Sequence, residues 1–154
     1  MDFAQTTTTS PDVNGNYWNN YATNGFANLV TSQGNTTTYY FTPNLGGGFN
    51  TNFITGSPNL SALGVFNIPT VYSDAINTTT NCSYYFYNIN QNLTYDFSLL
   101  GSRDATTTRT TQYTIEGSNS GSGSVTTSGV GVGGTGTNYN TANLVNITGI
   151  TSTN

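Results

Sequence analysis

The sequence predicts an all-β protein, a single antiparallel β-sandwich spanning residues 1–154, and three observations carry that prediction. Thr, Asn, Ser and Gly make up much of the chain, with 11 Tyr and 8 Phe. Thr and aromatic residues fit pleated, half-buried surfaces, while Asn and Gly serve turns. Several stretches alternate apolar and polar residues with period two, the mark of a strand with one face buried. Only the connection 57–69 leaves room for a short helical turn. A disordered chain would be poor in aromatics and rich in net charge, and this one is 13% aromatic and 5% charged.

From the start of the chain, Thr6 to Ser10 is extended and polar, and Pro11 biases Ser10 toward an extended conformation. Pro11 to Asn16 is a turn cluster. It spaces Asp12, Asn14 and Asn16 at every second residue, as a calcium loop would, but one carboxylate is a poor ligand set, so an Asx-type turn is expected and no metal. Tyr17-Trp18-Asn19-Asn20 holds the single Trp. It can stack on a sugar ring with amides beside it, or it can close the end of the core. Phe26 to Val30 and Thr36 to Thr42 read as strands around the turn 32–35, and Phe49 to Ile54 as a weaker strand. Gly46 to Gly48 lacks the following helix and Lys of a phosphate loop. Leu60, Leu63, Val65, Phe66 and Ile68 are expected to plug the core. Cys82 to Ile89 is a strand with Tyr on both of its faces. Cys82 stands alone and is expected to be a buried thiol.

The stretch 92–116 is the centre of the prediction. Tyr95, Phe97 and Leu99 alternate with polar residues, as do Thr111, Tyr113 and Ile115, and the connection 101–108 is expected to fold the two strands into a hairpin. Both Arg residues of the chain, Arg103 and Arg109, lie here. They either tie the connection down through Asp104 and backbone carbonyls or line a ligand site. Gly117 to Gly136 reads as loose Gly/Ser/Thr loops, after which Asn143 to Ile150 resumes a strand. The expected core comprises Phe97, Leu99, Tyr113, Ile115, Phe86 and Leu144. Asn-x-Ser/Thr sequons at Asn35, Asn59, Asn77, Asn81, Asn92 and Asn146 permit glycosylation.

Charge and residue inventory narrow the function. The chain has no His and no Lys, which removes imidazole acid–base catalysis and metal ligation, Schiff-base chemistry and P-loops. Six acids against two Arg give a net charge of −4. Nucleic acid is therefore an unfit partner, and so is an anionic membrane surface. No apolar run approaches the length of a membrane span. The start, MDFAQ, lacks the basic and apolar regions of a signal peptide, yet the low charge and the Thr/Asn surface point outside the cell, so a mature chain or a recombinant module is expected. No cofactor and no catalytic residue is expected.

Four stretches together, PDVNGNYWNN, GFANLVTSQGNTT, LTYDFSLLGSRDATTTRTTQYTIEG and TTSGVGVGGTGTNYNT, resemble a module of secreted Bacteroidetes proteins. That module occurs alone or beside carbohydrate-active or esterase-like domains. The resemblance implies a jelly-roll, galactose-binding-like β-sandwich outside the cell. By it, Trp18, Asn19, Arg103 and Arg109 fall on recurring positions. The pattern would add a closing strand after residue 150, and here the chain stops at Asn154, so a sandwich short of that strand is expected.

Two functional readings remain. The first is a non-enzymatic extracellular structural protein, a surface, matrix or fibre subunit whose partner is itself through β-strand contacts. Sparse charge leaves strand edges without gatekeepers, and residues near either terminus would cross between subunits. The second is a carbohydrate-binding module that holds a polysaccharide through Tyr17, Trp18, Asn19 and Asn20, with Arg103 and Arg109 as further candidates.

Overall fold

The structure, a computed structural model, describes residues 1–3, 7–21, 28–44, 48–50, 54, 60–73, 75–77 and 81–153. It is all-β, with two short helical segments. No helix among the described residues is long and apolar enough to cross a membrane. The chain forms two compact units, 1–53 with 68–89 and 54–67 with 90–154.

In the first unit the elements are β1 (Asp2–Phe3), β2 (Asn20–Tyr21), β3 (Tyr40–Asn44), β4 (Gly48–Asn50), helix α1 (Pro69–Tyr72), β5 (Ala75–Asn77) and β6 (Ser83–Tyr87). β3 pairs antiparallel with β6 and β4 with β5, while β1 runs parallel to β2. Pro69 opens α1, where a missing N–H costs nothing. Phe41, 1% exposed, centres the core of this unit. Its ring lies 5.6 Å from Tyr21, 5.8 Å from Phe3 and 5.3 Å from Tyr84, the last stacked. Such tilted and offset pairs suit the ring quadrupole. The segment before Pro11 is tied into this unit: the Thr8 hydroxyl donates to Asp2 Oδ2 at 2.7 Å and shares a 2.6 Å contact with Thr70 Oγ1.

The second unit contains a 3-10 segment (Ser61–Phe66), then β7 (Thr94–Leu99), β8 (Arg109–Glu116), β9 (Ser120–Ser128) and β10 (Val145–Thr151). β7 and β8 show the expected alternation, with Tyr95, Phe97 and Leu99, then Thr111, Tyr113 and Ile115, turned inward. Their partners differ from the expected hairpin. β7 pairs with β10 and β8 with β9, both antiparallel, so 101–108 links two separate ladders. The eight-residue connection is longer than a tight hairpin needs, and β8 has a nearer partner across the turn 117–119.

That nearer partner is the stretch read as loose loops. Gly and Ser lower strand propensity, but here the missing side chains are the packing solution. A Cβ on Gly121 would sit 2.6 Å from Ile147 Cγ2, and one on Gly123 2.6 Å from Val145 Cγ1. The two ladders therefore close face to face over Val125, Val145, Ile147 and Ile150, with Phe97, Leu99, Tyr113 and Ile115 packed around them.

Two members of the expected core lie elsewhere. Leu144 is only half-buried, because the inward phase of β10 falls on Val145 and Ile147. A register shift then skips to Ile150 across Gly149, whose φ of 71° suits a residue without Cβ. Phe86 is 41% exposed at one end of β6. Cys82 is half-buried rather than buried. In the 57–69 connection Leu60, Leu63 and Ile68 are buried as expected, whereas Val65 is exposed. Residues 26, 27, 46, 47, 51–53 and 57–59, which figure in the strand and loop expectations, lie outside the described residues.

Candidate functional site

The segment 17–20 is a polar clasp. The Asn19 side chain donates from Nδ2 to the Val30 carbonyl at 2.8 Å, and its Oδ1 accepts from the Val30 N–H at 2.9 Å. Asn20 repeats the pattern on Thr8, donating to its carbonyl at 2.9 Å and accepting from its N–H at 2.9 Å. An amide carries one acceptor and one NH2, the same pair that a strand neighbour presents, so each Asn stands in for one residue of a β-ladder. Each amide thus puts one donor and one acceptor into the backbone.

Trp18 precedes them in the chain and is 9% exposed. Its backbone N–H donates to Ser10 Oγ at 2.9 Å and its Nε1 donates to Asp12 Oδ2 at 2.8 Å. Stacking on a sugar needs an open ring face, so this Trp is the core-closing one and the platform reading fails at this residue. Asp12 organises the turn before it. Its Oδ1 accepts from the N–H groups of Asn14 and Asn16, an Asx turn. The indole N–H is the largest of the influences that hold the Asp12 carboxyl below the usual aspartate range, and the backbone N–H groups of Asn16 and Asn14 add to it. Tyr17 is exposed but lies across Gly34, where a Cβ would meet its ring at 2.9 Å.

The two Arg residues belong to the second unit and the 17–20 segment to the first. Arg103 is half-buried and its backbone N–H donates to the Thr127 carbonyl at 3.0 Å. Arg109 opens β8, exposed, and its carbonyl accepts the Thr127 hydroxyl at 3.3 Å. The connection around them is tied by Asn140, fully buried, which donates to the carbonyls of Gly101 and Asn143. Ser102 returns a bond to the Asn140 carbonyl at 2.7 Å.

Of the sequons, Asn35, Asn81, Asn92 and Asn146 are exposed, and Asn146 Oδ1 accepts from the Ser98 hydroxyl at 2.8 Å. Asn59 lies outside the described residues, as does the side chain of Asn77.

The exposed aromatic surface is on the β3–β6 ladder. Register sets Tyr40 opposite Tyr87 and Thr42 opposite Tyr85, all on one face, while Phe41 and Tyr84 turn to the core on the other. Tyr40 and Tyr87 stack at 4.8 Å with 13° between planes, and Tyr85 follows 6.3 Å from Tyr87. Tyr85 is 47% exposed and Tyr87 41%. The sequence signal for this face was the alternation in CSYYFYNI; what it lacked was the partner strand that supplies Tyr40. Comparison with models of protein families, with curated proteins and with solved structures found no match.

Proposed function

We propose that the protein is a non-enzymatic structural subunit of an extracellular surface or matrix, joining a second copy of itself by strand pairing along β6. One observation carries the reading: β6 is an uncharged aromatic strand, exposed along most of its length, with a single ladder neighbour among the described residues. An open edge of this kind offers a row of N–H and C=O groups to another chain, and it has none of the Lys gatekeepers that block such pairing. Crossing of the termini between subunits has less to recommend it, since residues 1–3 and 7–10 are bonded into the first unit and β10 is a member of a ladder. Antiparallel pairing of β6 with β6 is twofold and self-complementary. β7 and β9 also have one ladder neighbour each among the described residues, and pairing along either would extend such pairs into a chain. The scarcity of charge and the four exposed sequons suit an extracellular setting.

A charge swap at Ser83, an exposed residue, tests the contact. Wild type is expected to self-associate with rising concentration in sedimentation velocity, while Ser83→Lys and Ser83→Glu each stay monomeric. Either charge, set on an otherwise uncharged strand, acts as the gatekeeper that edge-to-edge pairing lacks here. A wild type that remains monomeric at high concentration would overturn the proposal, as would variants that assemble like wild type.

A further inference from the structure

The geometry points to a second role for the β3–β6 ladder, on its tyrosine face rather than its edge: a binding platform for a neutral polysaccharide chain. Tyr40, Tyr85 and Tyr87 share that face with Thr42. A tyrosine ring presents a negative π face to the apolar C–H side of a sugar, and its hydroxyl both donates and accepts toward sugar hydroxyls. Tyr40 and Tyr87 brace one another by stacking, so their hydroxyls are held in place without a ligand. Preorganised rings lose little freedom when something settles on them.

Size and charge select the occupant. The face is five residues long. It measures about 17 Å along the strands and about 10 Å across, so it offers under about 200 Å². Each side of a stable protein complex contributes about 800 Å², which a folded partner would not find on this face alone. A chain of a few sugar rings is the right dimension. As for charge, the sequence of the first unit holds three acids, Asp2, Asp12 and Asp74, and no base. Uronate chains, sulfated glycans and nucleic acids are thus repelled, while an uncharged glycan is not. The platform goes beyond the assembly reading and stands without it, since strand addition uses the edge of β6 and leaves this face open.

Affinity electrophoresis in gels cast with galactomannan, xyloglucan, mixed-linkage β-glucan or dextran tests the platform, with polygalacturonate as the anionic control. Wild type is expected to be retarded by at least one neutral polymer and not by polygalacturonate. Tyr85→Ala and Tyr87→Ala should each weaken that retardation about tenfold in Kd, the equivalent of one aromatic contact. Tyr85→Phe, which keeps the ring, should retain most of it. Both alanine variants replace exposed side chains, so unchanged far-UV circular dichroism is expected and separates lost binding from lost fold. No retardation by any neutral polymer, binding only to polygalacturonate, or alanine variants that bind as wild type does would each overturn the platform.

Discussion

Asn19 and Asn20 show how an amide can replace a length of strand. Each forms two hydrogen bonds to one backbone residue, Val30 and Thr8 respectively, within 2.8–2.9 Å. Asn20→Ala leaves both polar groups of Thr8 unpartnered by it and should lower stability by about 1–3 kcal/mol in urea unfolding. Asn20→Asp keeps the shape but cannot donate to the carbonyl, and should recover little. Asp12 adds a pH dependence. Its folded carboxyl titrates below the ordinary aspartate value of 3.8. Its contribution is therefore complete above that value and is lost as pH falls through the lower folded one. The melting-temperature gap between wild type and Asp12→Ala should be widest near neutrality and close in strong acid. None of this clasp was legible in YWNN itself, because amides next to a Trp suit sugar binding and backbone capping equally. The deciding partners, Thr8 and Val30, are distant in sequence.

At the scale of the element, the alternation of residues 94–99 and 109–116 was readable because period two survives whatever a strand pairs with. Pairing was not. A polar connection with both Arg residues looks like a hairpin loop, and nothing local says that β8 will prefer the Gly/Ser run beyond 117–119. Composition misled there because glycine reports two opposite things, freedom in a linker and close approach in a packed sheet. Substitution separates them. Gly123→Ala should cost about 1–3 kcal/mol by overpacking against Val145. Combining it with Val145→Ala should return part of that loss, a coupling that a double-mutant cycle reads directly. In a loose loop Gly123→Ala would be neutral.

For the molecule as a whole, residue types fixed the class more firmly than the site. Thr, Tyr and Phe in quantity meant strands, and strands were found, whereas the ligand candidates divided between the two units and Trp18 turned out buried. Net charge is the remaining whole-molecule lever. At −4 and a pI near 4.1, the chain loses its mutual repulsion in mild acid. If copies pair through uncharged β6, association in sedimentation should strengthen from pH 8 toward pH 4, and salt at pH 8 should mimic part of that shift. An assembly that weakened over the same range would point to contacts between charged groups.

The close fit of Gly121 and Gly123 under Ile147 and Val145 reaches beyond packing. A fragment boundary or fusion junction chosen by composition would fall in 117–128, where the chain looks most expendable. It would instead split the β8–β9 ladder and strip one wall from the core of the second unit. Amide exchange exposes the disguise: the N–H groups of this glycine and serine run should trade for deuterium as slowly as those of β8, and a protease with a taste for flexible chain should leave it alone.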